Sequence, residues 1–421
     1  MNQDENDLLT QTGPGTPCGE MLRRYWQPAA LAEELPSGGA PLPVKLLGEE
    51  LVLFRDDQGR PGLLELHCSH RGANLSYGRL EDGGLRCIYH GWLYDIHGNI
   101  MDMPGEVDGG ASFRDSICHK AYPCLERGGA IFAYMGPGEP PLFPNYEFLT
   151  VPEKQRFVTK YFQSCNYLQA NEGNIDPIHA SFLHHPNYNL RHTGIPEYQG
   201  FRGGRGVAPG IESIDAEVTD FGVRLCRACP VGSDKKDLRI WNFVLPNLTT
   251  FPGGLQSRAG YSVNWHVPID DTQHWKYSFI FNREAPLDSD VIKRVVPEMT
   301  PDYRLTRSRE NRYMQERRLM ATESYTGIGS FAAQDTCVVE GEGPIQDRTQ
   351  EHLASSDRVI VAERKLLLKA IRDVQEGRDP QHVTRDAKLN RFPHMIVWYG
   401  VVPSATEWRE HCKRLEAEAV R

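Results

Sequence analysis

The chain has 421 residues, with 47 Lys and Arg against 56 Asp and Glu, a formal net charge of −9, and 39% hydrophobic residues. This length favours two domains, and the acidic balance without a basic run argues against nucleic-acid binding, which needs clustered Lys and Arg. The acidic N-terminus and the lack of a long apolar run predict neither a signal peptide nor a membrane span, so we expect a cytoplasmic protein.

The region from Pro41 to Pro144 is predicted to form short antiparallel strands. Turn-forming clusters separate its apolar runs, as at Asp57-Gln58-Gly59 and Asp82-Gly83-Gly84. Met135 to Pro144 is dense in Pro and Gly and predicts a boundary. We expect three parts: an N-terminal segment (1–40) that packs on the second domain, an all-β domain (41–145) and a second domain (146–421).

The second domain is predicted to be α+β. A helix is expected to contain Asn166 to His185, and further helices are expected over Arg304 to Ala321 and Glu351 to Val374. Three runs alternate apolar with polar residues and predict strands: Leu238–Leu245, Tyr261–Ile269 and Trp275–Phe281. A sheet of this size can hold a pocket against helices.

A ligand-like pattern lies in the first domain. Cys68-Ser69-His70 is followed, after sixteen residues, by Cys87-Ile88-Tyr89-His90. Two Cys and two His suit a structural zinc ion, and they also suit a Rieske [2Fe-2S] cluster, in which the Cys bind one iron and the His the other. Each loop supplies one Cys and one His, which favours the two-iron cluster. Tyr89 and Trp92 are expected to limit water access.

A second pattern lies near the start of the second domain. Non-haem iron sites use two His and one carboxylate on one face, and His179 and His184 are the candidate His. Five residues on a regular helix are about 140° apart, so the helix must be widened by a π-bulge or broken near Pro177. Asp176 is expected to accept a hydrogen bond from the non-ligating nitrogen of His179.

The string CSHRGANLSYGRLEDGGLRCIYHGWLYD resembles the Rieske domain of ring-hydroxylating oxygenases. The likeness extends to ENDLLTQTGPGTPCGEMLRRYWQPA and to YTGIGSFAAQDTCVVEGEGPIQDRTQEHLASSD. The chain is therefore similar to the oxygenase component of Rieske non-haem iron oxygenases, most of all to the phthalate dioxygenase group. The resemblance implies an all-β Rieske domain, a helix-grip catalytic domain, and homotrimers or stacked trimers.

The resemblance also implies the ligands. Cys68, His70, Cys87 and His90 would hold the cluster, and Asp335 would complete a mononuclear Fe(II) site with His179 and His184. Competing carboxylates are Glu323, Glu340 and Asp347. We interpret Asp347-Arg348 as a local ion pair, and Asp335 has the alternative role of a helix N-cap.

The implied activity is that of a terminal oxygenase. A flavin and iron–sulfur reductase would pass electrons from NAD(P)H to the cluster, and the iron would activate O₂ to hydroxylate an aromatic substrate. In the family the electron path runs between subunits, here from His90 or His70 through Asp176 to His179 of the neighbour.

The substrate is predicted only by class. Arg can pair with a carboxylate, and the candidates are Arg191, Arg202, Arg205 and Arg239; Arg239 is preferred because strand alternation can point it inward. Ring hydroxylation and O-demethylation of an aromatic acid both remain open. A Rieske protein that only transfers electrons and a zinc-stabilised binding protein are the alternative classes.

Overall fold

The computed structural model describes residues 1–107, 110–184, 213–252, 259–321, 323–392 and 395–419. The elements up to Ala133 are, in chain order, α1 (Gln3–Thr10), α2 (Pro17–Leu22), β1 (Gln27–Leu31), β2 (Leu42–Leu46), β3 (Glu49–Arg55), β4 (Pro61–Glu65), β5 (Arg79–Glu81), β6 (Gly84–Arg86), β7 (Leu93–Tyr94), β8 (Ile100–Asp102), α3 (Ala111–Arg114), β9 (Ala121–Tyr122), β10 (Cys124–Arg127) and β11 (Ala130–Ala133).

The remaining elements are α4 (Glu147–Thr150), β12 (Arg156–Gln163), α5 (Tyr167–Ile175), β13 (Ser213–Val218), β14 (Gly222–Val231), β15 (Lys235–Val244), β16 (Leu248–Phe251), β17 (Ser262–Asp270), β18 (Gln273–Phe281), α6 (Ser289–Val295), α7 (Phe331–Gly341), α8 (Arg358–Gln375), β19 (Trp398–Pro403) and α9 (Trp408–Ala419). Among the described residues, none of these helices combines the length and the apolar character needed to cross a membrane.

The first domain consists of small antiparallel sheets, as predicted. One has the strand order β2-β3-β4-β9, a second has the order β5-β6-β7-β8, and a third joins β1 to β11 and β10. Asp82 and Gly83 form the two-residue turn between β5 and β6, and both have a positive φ, the geometry that favours this hairpin. The loops that follow β4 and β6 carry the two Cys/His pairs.

The second domain is built on one antiparallel sheet with the strand order β12-β18-β17-β16-β15-β14-β13, and β19 pairs with β15. The three predicted strands are present as β15, β17 and β18. Helix α5 contacts β16, β17 and α7, while α8 contacts β13, β14 and α2. The predicted α+β class, an all-β domain followed by an antiparallel sheet with helices, is confirmed.

Two helix predictions need correction. The helix expected to extend from Asn166 to His185 ends at Ile175, because Asp176 is extended and Pro177 cannot continue the helical hydrogen bonds; a 3₁₀ turn follows at His179–Ser181. His185 lies outside the described residues. The predicted break near Pro177 is therefore the correct alternative to a π-bulge.

Arg304 to Ala321 is not an α-helix. It forms 3₁₀ turns at Arg309–Met314 and Arg317–Ala321, with positive φ at Arg312 and Tyr313. The Asn311 side chain bonds to the backbone of Ser308 and Thr306, which competes with helical hydrogen bonds. The charged composition alone did not reveal this competition.

The largest hydrophobic core joins both domains. It contains Leu9 and Met21 from the N-terminal helices, Leu53 from β3, Phe132 from β11, and Phe279 from β18. A separate core lies inside the first domain around Cys68 and Cys87. The sheet of the second domain therefore shares one hydrophobic core with the N-terminal segment and with part of the first domain.

A buried ionic network fixes α5 against α8. Glu172 of α5 accepts hydrogen bonds from Arg348 at 2.8 Å and from Arg364 at 2.5 Å, and Arg364 also pairs with Glu351. The expected Asp347-Arg348 ion pair is wrong, because Arg348 turns inward to Glu172 while Asp347 accepts from Thr349 in its own turn.

Glu363 is expected to be held as a neutral acid, so Glu363→Gln should stabilise the protein at alkaline pH. Burial and the nearby Glu172 raise the pKa of Glu363 well above its usual value, and Asn171 donates to its Oε1, which Gln retains. The wild type loses stability as pH rises above the ordinary Glu pKa, because only the unfolded chain then releases the proton. The variant escapes this loss.

We expect the free energy of unfolding of Glu363→Gln to equal that of the wild type near pH 4.5 and to exceed it by at least about 1 kcal/mol at pH 8. One pKa unit of difference between the folded and unfolded states corresponds to about 1.4 kcal/mol. Denaturant unfolding at several pH values measures this. The control Glu351→Gln removes a charged partner of Arg364, and its free energy of unfolding should be lower than that of the wild type at pH 8. A pH-independent difference for Glu363→Gln would contradict the neutral carboxyl.

Candidate active site

Two loops of the first domain share one backbone design. The carbonyl of Cys68 accepts from the N–H of Gly72 at 2.8 Å, and the carbonyl of Cys87 accepts from the N–H of Gly91 at 3.0 Å. Both Gly residues have a positive φ, of 70° and 77°, which a side chain would strain. Each turn thus presents one Cys and one His at the same end of the domain.

The Cys side chains point inward and the His side chains lie at the surface. Cys68 and Cys87 are each 3% exposed, His70 is exposed and His90 is partly exposed. The two imidazole rings lie 4.4 Å apart between centroids. This donor set fits a cluster whose sulfur-bound iron is buried and whose His-bound iron faces outward.

A single zinc ion does not fit the four side chains. Tetrahedral zinc would bring its donor atoms within about 4 Å of one another. In the described part of the chain, only His179, His184 and Asp335 form a group of three or more candidate ligands with donor atoms within 4.8 Å. The spacing of the two Cys and two His is therefore wider than one tetrahedral ion needs and fits a two-iron cluster.

Side chains beside the cluster loops include some that sequence reasoning missed. Trp92 is buried and stacks on His70, but Tyr89 is 58% exposed, so only Trp92 acts as the expected shield. Tyr94 lies 3.0 Å from the Cys68 sulfur through its hydroxyl. Buried His119 contacts the Ser69 hydroxyl at 2.7 Å. Neither Tyr94 nor His119 stands in the ligand motif.

Tyr94→Phe is expected to lower the reduction potential of the cluster. If Cys68 binds a cluster as a thiolate, its sulfur can only accept, so the Tyr94 hydroxyl 3.0 Å away would donate to it and stabilise the reduced, more negative cluster. A bond of about 1–2 kcal/mol corresponds to about 40–90 mV for one electron. A redox titration followed by visible absorption measures the shift. Tyr77→Phe, at an exposed Tyr of the same domain, is the control; equal potentials in both variants would contradict the assignment.

Three side chains of the second domain converge on one point. Asp335 Oδ1 lies 2.9 Å from His184 Nε2 and 4.0 Å from His179 Nε2. The Nδ1 atom of His179 faces the Asp176 carbonyl at 2.9 Å, and that of His184 faces Gln334 Oε1 at 2.7 Å. Because these oxygens only accept, both Nδ1 atoms are placed as donors, and each Nε2 is the ring nitrogen that could bind a metal ion.

This trio fits a divalent metal ion. Buried His184 Nε2 makes no hydrogen bond although a carboxylate oxygen lies beside it. Two neutral imidazoles and one carboxylate are the donor set of non-haem iron sites. Burial raises the pKa of Asp335, but His184 and Lys276 lower it overall to about 2, so the carboxylate is charged.

The contacts of the Asp176 carboxylate differ from the predicted hydrogen bond to His179 Nδ1. Its backbone carbonyl takes the place beside His179 Nδ1, and its nearest carboxylate oxygen is 3.8 Å away. The carboxylate instead accepts from the backbone N–H groups of Ile178 and His179, at 2.7 and 3.2 Å. This is an Asx turn where the helix stops, so Asp176 holds the turn on which His179 stands.

Asp335 is the fifth residue of α7, whose N-cap is Ser330, so the N-cap alternative is wrong. The competing carboxylates lie elsewhere. Glu323 is exposed on a turn, Glu340 accepts from Ser164 N–H and from Tyr313, and Asp347 closes its own turn. None of the three belongs to the converging group.

Gln334 and Phe331 were missed by sequence reasoning. The Gln334 amide donates to the Ile328 carbonyl, which turns its oxygen toward His184. The Phe331 ring stacks on the His184 imidazole at 3.7 Å. Both residues stand within one helical turn of Asp335, and this spacing was the available signal.

A cavity adjoins the trio and encloses about 660 Å³ of empty space, part of it open to solvent. Its wall combines aromatic Trp241 and Phe251 with Arg227 and Arg239. Arg239 faces inward and pairs with Asp237 at 3.1 Å. Arg227, its cross-strand partner, was not predicted. Arg191, Arg202 and Arg205 lie outside the described residues.

Comparisons with known proteins cover both domains. A family model described as Rieske [2Fe-2S] domain matches residues 25–122, and one described as LigXa C-terminal domain like matches residues 133–421. The phthalate 4,5-dioxygenase oxygenase subunit of Pseudomonas putida is 32% identical, over 98% of this chain and 95% of its own.

The 5,5'-dehydrodivanillate O-demethylase oxygenase subunit of a Sphingobium species is 31% identical, over 93% of this chain and 85% of its own. Among solved structures, dicamba monooxygenase bound to dicamba superposes with a TM-score of 0.59 at 18% identity, covering 85% of this chain and 99% of that one. At this identity the structural match shows the fold alone.

Proposed function

Because the chain belongs to the Rieske non-haem iron oxygenases, we propose that it is the terminal component that uses O₂ and reductase-supplied electrons to hydroxylate an aromatic acid. The relatives are oxygenase subunits, which favours an oxygenase over a protein that only transfers electrons. The observation that carries the proposal is the trio of His179, His184 and Asp335 beside an aromatic cavity that contains Arg.

In this proposal the first domain holds a [2Fe-2S] cluster through Cys68, His70, Cys87 and His90. The second holds a mononuclear Fe(II) through His179, His184 and Asp335, and this iron supplies O₂ activation when bound. Gln334 and the Asp176 carbonyl fix the imidazole rings with Nε2 toward the metal. Electrons come from NAD(P)H through a flavin and iron–sulfur reductase.

Arg239 is proposed to orient the substrate carboxylate. Its guanidinium lies in the cavity wall with Arg227, and the aromatic side chains of the same wall suit a ring. Relatives named for phthalate and for dehydrodivanillate both point to aromatic acids. Ring hydroxylation and O-demethylation are the two reactions proposed, because the relatives include a dioxygenase and an O-demethylase.

The proposal is tested by metal analysis and a substrate screen. We expect about three irons per chain, two with acid-labile sulfide and one removable by chelation. O₂ uptake is then measured with phthalates, hydroxybenzoates and methoxylated or biaryl acids, and formaldehyde distinguishes O-demethylation from ring hydroxylation. Stoichiometric zinc, or no product with any acid, would overturn the proposal.

Arg239→Met provides a matched test of the substrate class. It should raise the KM of an active acid while the same acid's methyl ester is turned over equally by both proteins, since only the carboxylate needs the guanidinium. Arg55→Met, at a partly buried Arg of the first domain, is the control. An equal loss with acid and ester would remove Arg239 from carboxylate binding.

The assembly is proposed to be a homotrimer or a stack of trimers. His70 and His90 lie at the surface, where a neighbouring subunit can approach them. The division into an N-terminal segment (1–40), a Rieske domain (41–145) and a catalytic domain (146–421) belongs to the same proposal. Contacts of α1 and α2 with α8 support the packing of the helical part of the segment on the catalytic domain, whereas β1 pairs with β11 of the first domain. Size-exclusion chromatography with light scattering tests the trimer.

Asp176→Asn is expected to slow electron delivery to the mononuclear site by at least about tenfold while both metal sites still fill. Asn keeps the volume and one acceptor oxygen for the Asx turn but removes the charge proposed to lie between subunits. Single-turnover oxidation of the pre-reduced cluster with substrate and O₂ measures the rate.

Asp302→Asn, at an exposed Asp far along the chain, is the control for loss of one surface charge. An unchanged single-turnover rate in Asp176→Asn would rule out the bridging role. Loss of the mononuclear iron itself would mean that Asp176 supports the metal site through the turn that carries His179.

A further inference from the structure

A buried lysine stands behind the metal-binding carboxylate. Lys276, on β18, has a side chain that is 5% exposed, and its Nζ lies 4.0 Å from Asp335 Oδ2. The other oxygen of the same carboxylate, Oδ1, faces both histidines. The Asp335 carboxylate therefore separates the ammonium group from the two imidazoles.

The remaining neighbours of Lys276 do not neutralise it. The ammonium lies 5.4 Å from the Tyr161 ring and 3.2 Å from the Asn264 amide. In the described part of the chain, the one ion pair of Lys276 is with Asp335. His266 and His274 are neutral, because burial lowers their pKa, that of His274 to about 4.

A second buried lysine of this sheet, Lys160, pairs with a carboxylate outside the trio and serves as a comparison. Lys160, on the neighbouring strand β12, has its own partner, Glu34, at 2.6 Å, and lies over Trp275. Its charge is satisfied away from the trio. Lys276 instead shares its carboxylate with the metal-binding group: Asp335 offsets the cost of burying the ammonium and also faces both histidines.

A fixed positive charge acts on a metal ion in proportion to the charge of that ion. In a site of low dielectric it disfavours a trivalent ion more than a divalent one. We propose that Lys276 is a positioning residue that acts through Asp335: its positive charge, 4.0 Å behind the outer carboxylate oxygen, favours the ferrous over the ferric state of the bound iron. This inference rests on the proposed iron site.

The test compares the ferric to ferrous ratio of the mononuclear iron in Lys276→Met and in the wild type. Met has a similar volume and no charge. Holoenzyme is equilibrated with redox mediators at fixed potentials, and ferric mononuclear iron is quantified by its electron paramagnetic resonance signal. We expect at least a tenfold higher ratio in the variant, which corresponds to 59 mV for one electron. The Rieske potential should not change.

Lys160→Met is the matched control, because it also removes a buried lysine from the sheet but leaves the trio intact. It should keep the wild-type ratio. If Lys276→Met does not fold, Lys276→Gln, shorter and polar, should shift the ratio in the same direction. An unchanged ratio in the folded variant, or an equal shift in Lys160→Met, overturns the inference. A wild-type protein without mononuclear iron overturns the proposed function instead.

Discussion

Asp335→Ala is expected to abolish product formation and to lower the mononuclear iron content at least about tenfold, while the visible spectrum of the cluster stays unchanged. The variant leaves two imidazoles, which provide neither the negative charge nor the third ligand of a facial site. It also leaves Lys276 beside the metal without the carboxylate that separates them. Loss of the ligand and electrostatic repulsion act in the same direction.

Iron analysis after removal of loosely bound metal, combined with a turnover assay, measures this effect. Glu323→Ala is the control, since Glu323 is an exposed acid close in sequence that lies outside the trio. It should behave as the wild type. Full turnover in Asp335→Ala together with a loss in Glu323→Ala would show that the carboxylate was wrongly assigned.

Glu172→Ala is expected to lower the free energy of unfolding by about 3–5 kcal/mol, because it leaves buried Arg348 without its carboxylate. Arg364 keeps its ion pair with Glu351, so it contributes less to the expected loss of stability than Arg348 does. Domains are typically stable by about 5–15 kcal/mol, so this change removes a large fraction of the total. Because Glu172 lies on α5, whose end positions Asp176 and His179, metal binding should weaken as well.

Denaturant unfolding followed by circular dichroism measures the loss. Glu126→Ala is the control: it removes the partner of Arg55, but Glu126 is 44% exposed, and such pairs contribute at most about 1 kcal/mol. Equal stabilities of the Glu172 and Glu126 variants would show that the buried network is not a main source of stability.

The site was predictable where its residues lie close together in sequence. Each cluster loop holds a Cys, a His and a turn Gly within five residues, so the local chain determines the geometry. The break after Ile175 was also accessible, because Pro177 excludes a continuous helix between Asp176 and His184. The strands β15, β17 and β18 followed from their alternation.

Contacts between distant segments could not be predicted in this way. Lys276 meets Asp335 only because β18 and α7 pack together, and no local pattern distinguishes it from Lys160. Arg348 was wrongly paired with its neighbour Asp347, since its true partner Glu172 lies 176 residues away. The carbonyl of Asp176 replaced its carboxylate because the following 3₁₀ turn begins with free backbone N–H groups, those of Ile178 and His179, which the carboxylate satisfies.

The shared hydrophobic core limits the replacement of one domain by the corresponding domain of a relative, because it joins residues of both domains, among them Leu9, Leu53, Phe132 and Phe279. A chimera that takes its first domain from a relative about one-third identical would bring mismatched side chains into a close-packed interior. In such an interior a volume change of even one methylene group alters stability. Substrate range can therefore be altered more safely by replacing residues of the cavity wall, such as Trp241 and Phe251, than by grafting a whole domain.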